Sequence, residues 1–443
     1  MGITVLEKGS DYILNHFRVK WLREGFLLTT DFGSWAFLSK EEYNSLINGS
    51  FTENPGLFFL LEKKGLILTS ENIDYIGESY RQRHGFMCSG VRMHIIILKN
   101  NDELMKLATA KKTVEFIFQS PSENIEIEFK DDLVSSFDLI KFIVEYSKSL
   151  SLKSKKKTSF RIVSDMKGMD EEKFGFLIKE NFSVNSYLDG PRWLHEKNNE
   201  FISGNSYDSV IKWSEKFNSR FRINLSPRIT KFSLEYTKEI IDSYVNLNLN
   251  GISLMPLHIS NYTDNWPRIG YSPEEFVNFW KTSIDYIISL NKKRLFYERF
   301  GVLFLRNIIT REGSSHKDFT NPNGSIVRYL AYGHDGSVYP SDESIGFDIF
   351  KLGNVGQKYT DVVVSPQSIA LIRASINDSQ YSDINVYFPY LSLCNVCSYA
   401  ENSNIIPKLP DFRSKSQNSI LEYLFEKLIF DKDQRKILLS WIN

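Results

Sequence analysis

The sequence predicts an α/β protein in which a parallel sheet, open or curved into part of a barrel, follows a small winged-helix-like domain. Between residues 93 and 291, six short apolar or β-branched segments alternate with helical segments, as in parallel strands joined by crossover helices. Before them, three aromatic segments separated by turn residues precede two helical segments. Six strand–helix units are fewer than the eight of a complete barrel.

The N-terminal segments predict a β-meander followed by helices. Its strands are expected at residues 17–21, 26–30 and 35–38. Ser39 and Glu42 match a capping box that begins a helix over residues 40–48, and Pro55 occupies the first turn of a helix that ends near Gly65. Such a domain can hold a peptide as an added strand along its sheet edge. The alternative is a module that only packs against the rest of the chain.

The central segments predict six strand–helix units. Strands are expected at residues 93–98, 124–129, 158–164, 183–188, 222–229 and 251–256. Helices are expected at residues 102–119, 136–148, 170–179, 207–217, 234–247 and 273–291. The first strand is followed by a turn of two or three residues. That turn carries no cysteine cluster, glycine loop or histidine pair, although α/β folds place their chemistry at this edge.

The C-terminal region breaks the alternation after about Arg306. Residues 313–344 are rich in Gly, Ser, Asn and Asp and contain one hairpin, with its turn at residues 334–336. Irregular sequence is expected up to Pro410, then an amphipathic helix over residues 416–430 and a short terminal helix. Three domains are therefore predicted, at residues 1–85, 86–305 and 306–443.

Composition narrows the class of protein. The formal net charge is zero, so no overall basic field favours a nucleic acid or a membrane surface. No apolar segment approaches the roughly 18–20 residues that cross a bilayer, and the N-terminus lacks a signal-peptide pattern. Three cysteines cannot form a disulfide framework. These features predict a cytoplasmic protein.

Two groups of residues are candidates for chemistry. Cys394 and Cys397 form half of a tetrahedral metal site, and a structural thiol pair, a metal site and redox chemistry all remain open. Aspartates follow several predicted strands, where an enzyme places acids and bases; they are Asp131, Asp132, Asp165 and Asp189. Aspartate also serves as a turn and helix-cap residue at such positions.

The order of these segments resembles the radical SAM/SPASM peptide maturases, and above all the B-type maturase of the His-Xaa-Ser peptide systems. The similarity covers about residues 17–425. The stretches that carry it are FRVKWLREGFLLTTDFGSWAFLSKEE (17–42), IFQSPSENIEIEF (117–129), FDLIKFIVEY (137–146), SYLDGP (186–191), LAYGHDGSVYPSDE (330–343) and KLGNV (351–355). The resemblance implies a six-stranded partial TIM barrel of radical SAM type with a SPASM-like C-terminal extension.

The resemblance also implies that the N-terminal domain is a PqqD-like element that holds a precursor peptide. Trp35 and Phe37 on the third strand and Phe58 and Leu61 on the facing helix would then form the peptide groove. The same four apolar residues are also suited to a packed core, and that interpretation remains open.

The chain departs from the family pattern at the main cofactor positions, although Cys394 matches one ligand position of the extension and Cys397 falls where none is expected. The family's CxxxCxxC motif, which binds a [4Fe–4S] cluster and leaves one iron for S-adenosylmethionine, is missing after the first strand. Lys130, Asp131 and Asp132 replace a glycine-rich segment after the second strand. Together with Asp165 and Asp189 they mark a degenerate cofactor site. Further cysteines expected near Asn323, Ser341 and Leu391 are also missing.

The leading hypothesis is therefore a catalytically inactive radical-SAM-like subunit without a cofactor. It would bind a precursor peptide, an active radical SAM partner in a heterodimer, or both, during ribosomal peptide (RiPP) maturation. One alternative is an enzyme of non-radical chemistry that uses the strand-end aspartates or a divalent metal at the barrel mouth. Another is a peptide chaperone that needs no enzyme partner.

Overall fold

A computed structural model of the chain describes residues 12–100, 103–130, 133, 135–202, 205–218, 223–310, 312–314, 316, 319–376 and 380–442. No helix among these residues combines the length and the apolar character needed to cross a membrane.

The N-terminal domain is a three-stranded antiparallel sheet packed on helices. Its strands are β1 (Ile13–Leu14), β2 (Phe17–Leu22), β3 (Gly25–Thr30), β4 (Trp35–Leu38) and β5 (Ile67–Leu68), and its helices are α1 (Lys40–Asn48), α2 (Pro55–Lys63) and α3 (Ile73–His84). The sheet has the order β2-β3-β4, and β1 pairs with β5. The predicted capping box is confirmed, because Ser39 Oγ accepts a hydrogen bond from Glu42 N and Glu42 Oε2 accepts one from Ser39 N.

The central region forms the predicted strand–helix units. Its strands are β6 (Met93–Ile96), β7 (Lys99–Asn100), β8 (Glu103–Leu104), β9 (Asn124–Lys130), β10 (Lys157–Val163), β11 (Ser183–Tyr187), β12 (Ile223–Ser226), β13 (Gly251–Ile252) and β14 (Tyr297–Glu298). Its helices are α4 (Leu107–Ile117), α5 (Phe137–Ser154), α6 (Glu171–Lys179), α7 (Arg192–Asn199), α8 (Tyr207–Asn218), α9 (Thr237–Asn246), α10 (Trp266–Ile269), α11 (Pro273–Leu290) and α12 (Arg299–Ile309).

Five of these strands are parallel neighbours in one curved sheet, in the order β12-β11-β10-β9-β6. The sixth, β13, pairs with β14 in a separate two-stranded sheet. One parallel bridge between Ile229 and Pro256 places the segments after the fifth and sixth strands side by side. The sheet of the described residues does not close, so the predicted partial barrel is confirmed.

The C-terminal extension continues the barrel sheet. Its elements are β15 (Tyr329–Tyr332), β16 (Ser337–Tyr339), β17 (Gly353–Asn354), α13 (Tyr359–Val363), α14 (Pro366–Ala374), α15 (Gln380–Ile384), α16 (Asn395–Asn402), α17 (Phe412–Phe430) and α18 (Lys432–Ser440). β15 pairs parallel with β6, and β16 and β17 follow as antiparallel neighbours. The hairpin predicted around residues 334–336 thus extends the sheet beyond its first strand.

Three sequence predictions about elements are wrong. The helix predicted from residue 102 begins at Leu107, because Glu103–Leu104 forms the strand β8, which pairs antiparallel with β7 (Lys99–Asn100). The sequence pattern also missed α7 and α12. The segment predicted to be irregular up to residue 410 contains four short helices, which lack the long apolar periodicity that identifies a helix in a sequence. The three-domain division stays a prediction.

A buried carboxylate fixes the end of the sixth strand. Glu298 is fully buried at the N-terminus of α12 and accepts hydrogen bonds from the backbone N–H groups of Leu254, Phe300 and Gly301 and from Trp280 Nε1. Burial raises the pKa of Glu298 to about 7, although these hydrogen bonds by themselves lower it. The carboxylate therefore connects the loop after β13 to the first turn of α12.

Candidate functional site

A cavity of about 300 Å³ opens where the barrel strands end. Such a position at the carboxyl ends of parallel strands is where α/β proteins bind ligands. Its charged lining residues come from three barrel segments and from the extension; they are Glu128, Lys130, Arg161, Arg228, Asp342 and Glu343. The cavity walls are therefore rich in charges of both signs.

Lys130 and Asp342 form an ion pair across this cavity. Lys130 ends β9, whereas Asp342 follows the hairpin of the extension, and only 8% of the Asp342 side chain is exposed. Burial lowers the pKa of Lys130, but the carboxylates of Asp342, Glu128 and Glu343 outweigh it and leave that pKa raised. Lys130 is thus a fixed cation that connects the barrel to the extension.

A second charged group lies on the neighbouring strands. Arg161 on β10 donates from Nη2 to Glu126 Oε1 at 2.5 Å, and its Nη1 lies 3.6 Å from Glu128 Oε2. Arg161 and Glu128 are register partners in the β9–β10 ladder, so the contact follows directly from the strand pairing. Of these three residues, Arg161 and Glu128 line the cavity.

Asp189 is the centre of a buried network rather than a lining residue of the cavity. Its carboxylate accepts from Arg228 Nη2 at 2.6 Å, from Arg228 Nε at 3.1 Å and from the Arg228 backbone N–H at 2.7 Å. Asp189 N donates to His195 Nδ1 at 3.2 Å, so the Nε2 atom of His195 holds the proton and donates to Ser206 Oγ. Burial lowers the pKa of His195, which keeps this imidazole neutral.

The other predicted aspartates do not join Asp189. Asp165 accepts from the Lys167 backbone N–H at 3.0 Å and pairs with the Lys167 side chain at 3.3 Å, the pattern of an Asx turn. Neither Asp165 nor Asp189 lines the barrel-mouth cavity. Asp131 and Asp132 lie outside the described residues. Among the described members of the degenerate cofactor site, only Lys130 therefore faces the cavity.

The donor set of the barrel does not fit an iron–sulfur cluster. The sequence contains no cysteine between Cys88 and Cys394, which leaves the whole barrel without a thiolate ligand. The loop after the first barrel strand is closed by the β7–β8 hairpin, and Met105 N donates back to Leu98 O at 2.7 Å. In the described part of the chain, no group of three His, Cys, Asp or Glu side chains is arranged to hold a metal.

The corresponding positions in the extension contain hydrogen-bonded polar residues. Asn323 donates from Nδ2 to Ser392 Oγ at 3.0 Å, and its backbone N–H donates to Ser375 Oγ. Ser341 caps a short turn with Ser344. The cavity between Asn323 and Cys394 measures about 10 Å³, which is room for about one water molecule and too small for a cluster.

The four residues predicted for the peptide groove lie in two different environments. Trp35 packs edge-on against Phe425 at 5.3 Å, Phe37 packs against Phe430 at 5.2 Å, and Trp35 Nε1 donates to Ile308 O. Phe58 and Leu61 belong to the separate small core of the N-terminal domain. The structure does not bring the four together, because alternate residues of β4 face opposite sides of the sheet.

Sequence reasoning missed the residues that the extension contributes to the cavity. Asp342 and Glu343 lie far along the chain from the barrel strands, and the parallel pairing of β15 with β6 places their segment beside the barrel. The only signal was the resemblance around residues 330–343, which placed this hairpin in the extension without indicating its contact to β9.

No protein-family model and no curated protein matches this chain. Several solved structures do match it in three dimensions. The chain superposes on anSMEcpe with bound AdoMet with a TM-score of 0.62 and 16% identity, over 78% of this chain and 100% of that one. It superposes on anSMEcpe with AdoMet and the Cp18Cys peptide with a TM-score of 0.63 and 16% identity, over 78% and 99% of the two chains. It superposes on Streptococcus suis SuiB bound to the precursor peptide SuiA with a TM-score of 0.55 and 13% identity, over 90% of this chain and 98% of that one.

At these identities the likeness shows the fold. The chain has the fold of anSMEcpe and SuiB, an α/β fold with a partial (β/α)6 barrel, a winged-helix-like N-terminal domain and a C-terminal extension, as the sequence predicted.

Proposed function

We propose that this chain is a non-catalytic radical-SAM-like subunit that binds a precursor peptide and an active radical SAM enzyme during ribosomal peptide maturation. The proposal rests on two observations taken together: the chain forms the partial barrel, and its sequence has no cysteine between Cys88 and Cys394. A thiolate set is what iron–sulfur ligation requires, and hydroxyl or amide side chains do not replace it.

The barrel mouth supports the same proposal. Lys130 stands where the resembling family has a glycine-rich segment, and its ammonium group pairs with Asp342. The family's close backbone approach to a ligand depends on glycine, and a lysine side chain fills that space. The fold is kept, while the positions that would hold the cofactor stabilise the barrel and the extension. Fold and function separate in this way because function resides in the site.

Peptide binding is supported by the solved structures that share the fold. SuiB is described with its precursor peptide SuiA, and anSMEcpe with the Cp18Cys peptide. In the present chain β4 forms one edge of the N-terminal sheet and pairs only with β3 among the described elements. We propose that the peptide adds to this edge through its backbone, while Trp35 and Phe37 anchor the sheet to α17.

A peptide-binding barrel without its own cofactor needs a second chain for the chemistry. We therefore propose a heterodimer with an active radical SAM peptide maturase, in the cytoplasm. The alternative that the barrel mouth itself catalyses a non-radical reaction is favoured only by the charged 300 Å³ cavity. It predicts saturable ligand or divalent-metal binding that the double variant Asp131→Ala/Asp132→Ala abolishes.

A co-expression pull-down tests the proposal. The full chain is co-expressed with a radical SAM protein encoded beside it, and the eluate is analysed by size-exclusion chromatography. A stable complex with a defined ratio of the two chains is expected. Migration of the chain as a separate species that binds neither the enzyme nor the encoded precursor peptide would contradict it. Peptide binding without the enzyme would instead support the stand-alone chaperone.

A further inference from the structure

A second cavity of about 320 Å³ lies between the barrel and the extension. It is bounded by the loop after β13, the start of α12, and the helices α16 and α17. Its apolar wall is formed by seven residues: Met255, Pro256, Leu257, Ile259, Trp266, Phe300 and Phe412. A volume of this size lies at the lower end of small-ligand pockets and suits one large side chain.

This apolar cavity adjoins the barrel mouth. Residues 255–258 line both cavities, so a ligand that lies across the mouth can reach the second space over one shared wall. Leu257 in this wall is held in place because its backbone N–H donates to Tyr271 Oη at 2.9 Å. A peptide bound along the mouth could therefore direct one side chain past residues 255–258.

The polar side chains that line this cavity are His258, Glu401, Arg413, Ser416 and Gln417, and Gln417 offers a buried acceptor. Gln417 on α17 is 4% exposed and lines the cavity, and its Oε1 atom has no hydrogen-bond partner among the described residues. An unsatisfied buried acceptor is costly, so an acceptor in this position is suited to a ligand that carries an N–H or O–H group. The helix turn that presents Gln417 is fixed by the Asp411–Ser414 capping box.

We propose that this cavity binds the indole side chain of a tryptophan in the bound peptide, with the indole N–H donating to Gln417 Oε1. The inference rests on the proposed peptide-binding function. Indole has a large apolar body with one donor and no acceptor, which matches the apolar part of the wall and the unpartnered acceptor Gln417 Oε1 beside it. A cationic side chain fits less well, because burial raises the pKa of Glu401 in the wall to about 7, so this carboxyl is only partly ionised near neutral pH.

The wall also contains a native reporter of occupancy. Cys397 lines the cavity, and its Sγ atom lies 3.7 Å from His258 Nδ1 and 3.7 Å from Arg413 Nη1. A ligand in the cavity covers this thiol, whereas the exposed Cys88 lies in the N-terminal region and stays accessible. Alkylation by N-ethylmaleimide, followed residue by residue with mass spectrometry, therefore measures occupancy.

The test compares indole with indene, a hydrocarbon of the same shape without the N–H group, on the full chain by calorimetry. Indole is expected to bind about five-fold more tightly than indene, as one net hydrogen bond allows. It is also expected to slow alkylation of Cys397 and not of Cys88. The variant Gln417→Met should remove the preference for indole while keeping the binding of indene. The control Gln367→Met, at an exposed position on α14, should change neither.

Equal affinities for the two probes, lack of binding, or a preference that survives in Gln417→Met would overturn the inference. A competition experiment separates it from the proposed function. If the precursor peptide binds and indole does not compete with it, the indole site is wrong and the peptide-binding function stands. If indole binds as expected and the peptide does not bind, the cavity is supported as an indole site, and both the function and the peptide as its source of indole fail.

Discussion

Lys130 at the end of the second barrel strand forms an ion pair with Asp342 of the C-terminal extension, 212 residues further along the chain. The pair lies in the cavity at the barrel mouth and connects two parts of the fold that the sheet already joins through β6 and β15. This ion pair therefore stabilises the barrel against the extension.

Replacement of Lys130 should destabilise the chain through its partner. In Lys130→Met the carboxylate of Asp342, which is 8% exposed, loses the ammonium group of Lys130, and we expect the free energy of unfolding to fall by about 1–3 kcal/mol. Urea denaturation measures this loss. The double variant Lys130→Met/Asp342→Leu removes both charges and should recover part of it. Additive losses in the double variant would show that the pair contributes nothing.

Asp189 and Asp165 were both predicted as strand-end acids, and their variants should differ. Asp189→Asn leaves the buried guanidinium of Arg228 without its counter-ion and should cost about 3–5 kcal/mol. Asp165 is a quarter exposed, and an asparagine keeps its turn hydrogen bond, so Asp165→Asn should cost less than about 1 kcal/mol. Thermal denaturation of both variants checks the difference. Equal stabilities would contradict the structural role of Asp189.

Glu298 should make the free energy of unfolding decrease as the pH rises from 4.5 to about 7. The folded pKa is about 7 and the unfolded value is 4.5, so between these values the folded chain keeps a proton that the unfolded chain has lost. Unfolding then releases a proton, and the free energy of unfolding contributed by this group falls as pH rises through that window, by about 3 kcal/mol at most. Below pH 4.5 the full contribution is present.

The comparison of wild type with Glu298→Gln isolates this effect, since glutamine does not titrate. The stability of wild type minus that of the variant should decrease from pH 4.5 to pH 7 in urea titrations. The exposed control Glu215→Gln should leave the pH profile of wild type unchanged. A difference that grows with pH would mean that the four donors around the carboxylate outweigh its burial.

Phe37 should contribute to stability through α17. Its ring packs edge-on against Phe430 at 5.2 Å, and a double-mutant cycle with Phe37→Ala and Phe430→Ala should give a coupling energy of about 1 kcal/mol. Peptide affinity should change little in Phe37→Ala at temperatures where the variant is folded. A large loss of peptide affinity without loss of stability would restore the groove predicted from the sequence.

The sequence predicted the repeating part of the fold because its signal is local. The first barrel strand was expected to begin at residue 93 and the fourth at residue 183, and both begin there. The helix over residues 207–217 is found as Tyr207–Asn218. Apolar runs with turn residues between them specify such elements without any knowledge of the tertiary contacts.

The candidate site could not be predicted in the same way. Asp189 was considered as a catalytic acid, but its partner Arg228 lies 39 residues away, and only the parallel β11–β12 pairing brings the two together. The contact of Lys130 with Asp342 depends on how the extension continues the sheet from β6. Side chains that meet through strand pairing over such distances leave no spacing pattern in the sequence.

Iron content per chain tests directly whether this chain binds an iron–sulfur cluster of its own. The purified full chain is taken through anaerobic iron–sulfur reconstitution, desalted, and assayed for iron and for visible absorption, alone and in complex with the radical SAM partner. We expect a colourless chain without stoichiometric iron and a complex in which all of the iron belongs to the partner. Stoichiometric iron on this chain alone would overturn the proposal of a non-catalytic subunit, because the cluster would then have ligands other than the cysteines that the barrel lacks.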